Sequence, residues 1–193
     1  MQALLKLSGV IDAINMRVGR WLAWLVLMAV LVSATNATIR KVFDTSSNAW
    51  LELQWVLFSV VFLLCASWTL LDNEHIRIDI VNNMLSRRTR NAIELIGHSL
   101  FLLPLTIVMM VTSLPFFLRS FEINEQSMNA GGLPQWPAKS LIFIGFTMLF
   151  FQGISELIKR VAVMQGLIPD YHETQPHPLE AEIEHLTETI ERH

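Results

Sequence analysis

The chain has 193 residues, a formal net charge of −3, and 52% hydrophobic against 16% charged residues. An average soluble domain carries roughly 25% charged residues, so the composition argues against a soluble globular protein. A lone cysteine, Cys65, rules out a disulfide framework and a cysteine-based zinc or iron–sulfur site within one chain.

In residues 1–20, Leu4, Leu7, Val10, Ile11, Ile14 and Val18 recur at helical spacing, with Lys6, Asp12, Asn15 and Arg17 off that stripe. This predicts an amphipathic helix in the cytoplasmic interface, with Arg17 and Arg20 near anionic lipid phosphates. The other reading has the first membrane helix begin earlier. An uncharged run follows over about 21–39, close to the roughly 20 residues needed to cross a bilayer. The twenty residues ahead of it, and its length, speak against a cleaved signal peptide.

The second span is expected over about 53–71, also without charge. Glu52, Ser59, Ala66 and Asn73 recur along it every seven residues, giving one small or polar face suited to close helix approach. In the loop beyond, Ile76, Ile80, Val81, Met84 and Leu85 share one helical face, which predicts an interfacial turn of helix, with Ser86 able to cap the next one. Arg87, Arg88 and Arg90 there are placed for lipid headgroups.

The third span is expected over about 93–118, with Pro104 and Pro115 as kink sites in one helix. Near its start Arg90, Glu94 and His98 form an i, i+4 ladder. The loop after it, with Glu122, Glu125, Gly131, Gly132, Pro134 and Pro137, is the outer turn region. The fourth span covers about 140–157, with Pro137 suited to its first turn. Gly145, Gln152, Glu156 and Lys159 make a polar stripe on it that faces protein rather than lipid. Residues 161–193 form an acidic tail holding seven of the 17 acidic residues at or beyond Asp170, with a short acidic helix over about 178–190.

Lysine and arginine near the span ends total nine in the N-terminal segment, the 72–92 loop and the segment after span four, against four in the other two loops. The positive-inside bias therefore places both termini in the cytoplasm. The fold class is an all-α membrane protein of four transmembrane helices, with an interfacial N-terminal helix.

No HExxH, GxSxG or P-loop pattern occurs, the spans lack the paired histidines of a di-haem protein, and no acidic pair sits at mid-membrane to bind a coupling ion. Neither half reads as an inverted repeat around a midplane site. No catalytic residue, metal, cofactor or nucleic-acid partner is expected. A helper subunit is favoured over the alternatives, a free-standing four-helix enzyme or a small independent transporter.

Glu52-Leu53-Gln54-Trp55 through Phe58, followed by Asn73-Glu74-His75-Ile76-Arg77-Ile78-Asp79, resembles the signature region of the small membrane subunit of tripartite ATP-independent periplasmic (TRAP) transporters, the DctQ-like component. Leu85-Ser86-Arg87-Arg88-Thr89-Arg90 and Asn129-Ala130-Gly131-Gly132-Leu133-Pro134 with Trp136-Pro137-Ala138-Lys139 are similar as well. The likeness covers roughly residues 10–165 and leaves out the tail.

The resemblance implies a bacterial inner-membrane subunit paired with a large DctM-like permease subunit and served by a periplasmic substrate-binding protein. It also implies sodium-coupled uptake of an organic acid, with the sodium and substrate sites in the large, elevator-type subunit and the small one bracing its scaffold. On that basis Glu52, Ser59, Ala66, Asn73, Gly145, Gln152 and Glu156 are expected at the partner interface, and Glu122 and Glu125 at the binding protein.

Overall fold

The computed structural model describes residues 1–45, 47–72 and 87–169, the side chains of 87, 88 and 90 excepted. Four helices within it are long and apolar enough to cross a membrane. The expectations for Asn73, for the 73–86 loop and for the tail from Asp170 onward lie outside the described residues.

Helix α1 (Gln2–Phe43) runs unbroken for 42 residues, about 63 Å at ~1.5 Å per residue, twice the ~30 Å of a hydrocarbon core. The interfacial helix expected over 1–20 is thus continuous with the first span, because no proline interrupts the segment. Gly19, its weakest helix former near the junction, is held by close packing: a Cβ there would lie 2.4 Å from the Trp68 ring. That contact sets the last turn of α2 (Asn48–Leu71) level with the fifth turn of α1, so residues 2–15 run on past it.

The third span is built in three pieces: α3 (Arg87–Ile96), a π-helical turn over Gly97–Leu102, and α4 (Leu103–Glu122). Pro104 causes the turn. It has no N–H, and its ring would collide with the carbonyl four residues back in a regular helix. The wider π turn makes room, and the Leu103 N–H bonds the His98 carbonyl five residues earlier. Pro115 is carried inside α4.

Helix α5 (Trp136–Met164) opens with Pro137 in its first turn. It packs on α1, α2, α3 and α4, and so stands at the centre of the bundle. Glycines permit the approach: a Cβ at Gly145 would lie 2.9 Å from the Leu63 carbonyl oxygen, and one at Gly153 would lie 3.0 Å from Leu102 Cδ2.

The interior inverts the soluble pattern. Among the described residues the buried apolar side chains are Leu22, Leu70, Ala162 and Val163, whereas Ser8, Asn15, Asn36, Glu52, Ser67, Asn91, Thr106, Ser113, Ser120, Gln152 and Ser155 are buried and polar. Large apolar groups such as Trp24, Phe58, Phe62 and Phe101 point outward. Lipid provides no hydrophobic drive between helices, so small residues and hydrogen bonds hold them together.

Candidate functional site

Two polar clusters, one at each end of the bundle, organise the molecule. At the end where α2 begins, Glu52 is only 6% exposed. Its carboxylate accepts from the Ser127 hydroxyl, from Asn129 Nδ2 at 2.9 Å and from the Leu133 backbone N–H at 2.6 Å. Asn48, one turn earlier, donates to the Ala130 carbonyl at 2.9 Å.

The loop after α4 is thereby folded back as a small hairpin, closed by Ser127 N–H to Leu133 O at 3.2 Å and Gln135 N–H to Glu125 O at 2.9 Å. Gly131 takes a φ of +70°, which favours glycine, and a Cβ on Gly132 would lie 2.7 Å from Glu52 Oε1. Glu125 pairs with Lys139 in the first turn of α5, and that hydrogen bond holds its carboxyl below the ordinary carboxylate range. Glu122 is exposed. Lys139 also lies 4.1 Å from the centre of the Phe116 ring, and Trp136 meets Phe121 edge-on at 5.4 Å.

At the other end, the polar face of α1 meets the stripe on α5. Asn15 Nδ2 donates to Gln152 Oε1 at 2.6 Å, and Gln152 Nε2 donates to Asp12 Oδ1 at 3.0 Å and Glu156 Oε1 at 2.9 Å. The Ser155 hydroxyl donates to Asp12 Oδ1 at 2.7 Å. A hydroxyl has one proton, so the Ser8 hydroxyl, 2.7 Å from that of Ser155, is the donor in their pair. Lys159 reaches Asp12 Oδ2 at 3.1 Å and Glu156 Oε1 at 2.5 Å.

Beside this network Arg160 pairs with Glu94 and donates to Asn91 Oδ1 at 3.2 Å, tying α3 to α5. His98 Nδ1 lies 2.7 Å from the Glu94 carbonyl oxygen. Among the described residues no group of three or more His, Cys, Asp or Glu is placed to hold a metal ion.

A family model described as tripartite ATP-independent periplasmic transporters, DctQ component, matches residues 28–163. The chain belongs to the DctQ family. It is therefore the small membrane subunit of a TRAP transporter, a transporter component whose tripartite assembly includes a large membrane subunit and a binding protein. No curated protein and no solved structure gives a match.

The residues singled out in the sequence fall into distinct settings in this DctQ subunit. Glu52, Gly145 and Gln152 are buried against other parts of the same chain, and Glu156 bonds Gln152 and Lys159. Ser59 is half-buried and donates to the Trp55 carbonyl within α2, and Ala66 is half-buried on the same face two turns along. Arg17 and Arg20 are exposed on α1.

Sequence reasoning missed Ser8, Asp12 and Asn15 as the counterparts of Gln152, although their spacing of four and three already puts them on one helical face. It also missed Ser127 and Asn129 as partners of Glu52, for which the sequence carried no signal beyond the glycine pair that lets the loop turn.

Proposed function

We propose that this subunit braces the stationary scaffold of the large, elevator-type permease subunit during sodium-coupled, binding-protein-dependent uptake of an organic acid. The reading makes it a bacterial inner-membrane protein with both termini cytoplasmic, as the lysine and arginine distribution favours. The observation that carries it is that the deepest polar groups, Glu52 and Gln152, are consumed in fixing helices and loop to one another, while the outward surfaces are apolar. Such a body suits a rigid support. Sodium and substrate are handled by the large subunit.

The grip on the large subunit is assigned to the face of α2 that carries Trp55, Ser59, Phe62 and Ala66. Trp55 and Phe62 are 66% and 69% exposed, and the smaller Ser59 and Ala66 between and beyond them leave recesses for partner side chains. Arg20, next to Trp21 at the start of the apolar run, contacts anionic headgroups together with Arg17. Exposed Glu122, beside the pinned hairpin, is offered to the binding protein.

Filling the recesses tests the assignment. Ser59→Trp with Ala66→Trp is expected to cut recovery of the large subunit at least tenfold in affinity purification from mild detergent, with this chain's own yield unchanged. Undiminished recovery would remove that face from the interface.

A further inference from the structure

Between the start of α2 and the hairpin folded onto it lies an open recess of about 410 Å³. Glu52, Trp55, Val56 and Ser59, spaced at i, i+3, i+4 and i+7, put one face of α2 along it. Ser127 and Met128 of the hairpin line it as well. A water takes up about 30 Å³ of liquid, so the recess has room for a whole side chain.

The lining is amphipathic and its charge is one-sided. Trp55, Val56, Met128 and Ala138 are apolar, whereas two carboxylates, Glu52 and Glu125, reach the recess and no described lysine or arginine does. Glu125 is already paired with Lys139. Glu52 is different. Its three donors, the Ser127 hydroxyl, the Asn129 amide and the Leu133 N–H, are all neutral, and among the described residues no cation pairs with it. Two of these donors meet Oε1 and one meets Oε2. A carboxylate offers about four lone-pair sites, so one place on Oε2 is left.

Hydrogen bonds from neutral groups satisfy the geometry of a carboxylate without cancelling its charge. Glu52 is 6% exposed, and the open recess gives water its access to that charge. Trp55 and Ser59 also belong to the α2 face assigned above to the large subunit, so the recess is continuous with that face; the inference rests on that assignment. When the face is covered, water leaves the recess and Glu52 becomes a fully buried charge. Such a charge is strongly unfavourable when unpaired and tolerated when paired and hydrogen-bonded. The counter-charge must therefore come with the surface that closes the recess.

We propose that a basic side chain of the large subunit, an arginine by its shape, enters this recess and pairs with Glu52 at Oε2. The guanidinium donates to that oxygen, and its planar head stacks on the exposed Trp55 indole. The apolar stem lies along Val56 and Met128. A lysine matches the charge but not the flat stacking surface. The carboxylate that joins α2 to its hairpin thus also joins both to the partner.

Affinity purification of the assembled complex from mild detergent tests this, with the recovered large subunit as readout. Val56→Lys sets an ammonium one helical turn from Glu52 and supplies the counter-ion from within the chain. It is expected to lower recovery at least tenfold, and Val56→Met, of similar length without the charge, at most twofold. Changing each arginine and lysine of the large subunit in turn to glutamine is expected to reveal one position with a similar loss, restored when combined with Val56→Lys. Ser59→Lys takes the place of Val56→Lys if that chain fails to accumulate.

Equal losses from lysine and methionine would leave only bulk at the recess and overturn the proposal. So would a scan with no position that Val56→Lys restores. Loss of binding-protein capture with the large subunit fully recovered would give the cation to the binding protein instead, which also overturns it. Ser59→Trp with Ala66→Trp reports on the face itself. A loss there beside indifference to these charges separates failure of this pairing from failure of the interface.

Discussion

Glu52→Gln is the sharpest single change at the loop-bearing end. The carboxylate accepts three hydrogen bonds and donates none. A carboxamide must turn an NH2 group toward Ser127 and Asn129 or toward the Leu133 N–H, leaving a donor facing a donor. An unmet buried polar group costs about 1–3 kcal/mol. The expected result is faster protease cleavage within residues 123–135, together with a lower melting temperature in detergent. Gly132→Ala should behave alike, since its Cβ would come 2.7 Å from the same carboxylate.

Glu125 gives the loop a pH dependence of known sign. Its pairing with Lys139 lowers the carboxyl's folded-state pKa, so the pairing's contribution is fully present above the unfolded value of about 4.3 and is lost as pH falls through the lowered folded value. Trp136 fluorescence, reporting from the same turn, is expected to stay flat from neutral pH to about 5 and to change only below about 4.3. Glu125→Gln should flatten that acid limb.

At the level of the helices, two glycines on α5 are predicted to differ. At Gly145 a methyl group meets the Leu63 main-chain oxygen, which cannot yield without moving α2, so Gly145→Ala is expected to cost about 1–3 kcal/mol. At Gly153 the nearest atom is Leu102 Cδ2, the free end of a side chain, and Gly153→Ala should cost less. Thermal unfolding of the two variants in one detergent checks the order.

The same elements show how far the sequence could be read. The spans were legible because uncharged runs near 20 residues have few other uses, and Pro137 marked the start of α5 correctly. The packing side of α1 was not. An apolar stripe in water seeks the core, but here Ser8, Asn15 and Gly19 face protein while Leu4, Leu7 and Ile14 face out, because Gln152 and Ser155 offered hydrogen bonds that only the polar face could meet. Pro104 announced a kink but not its π form. Long-range partners such as Glu52 and Leu133, 81 positions apart, follow no local period and came only with the fold.

Across the whole molecule, the described part is one bundle gathered on α5, fastened by a network of ion pairs and hydrogen bonds at one end and by a carboxylate-pinned hairpin at the other. The matched region, 28–163, contains Glu52, its loop and the α5 stripe, whereas Ser8, Asp12 and Asn15 precede it.

A subunit that only braces must be inert by itself and indispensable in company. Proteoliposomes with an inward sodium gradient decide this most directly, loaded with this chain alone, with the large subunit alone, or with both, each given the substrate-loaded binding protein outside. The account predicts uptake only when both membrane subunits are present. Sodium-driven uptake by this chain alone, or undiminished uptake by the large subunit without it, would contradict the account.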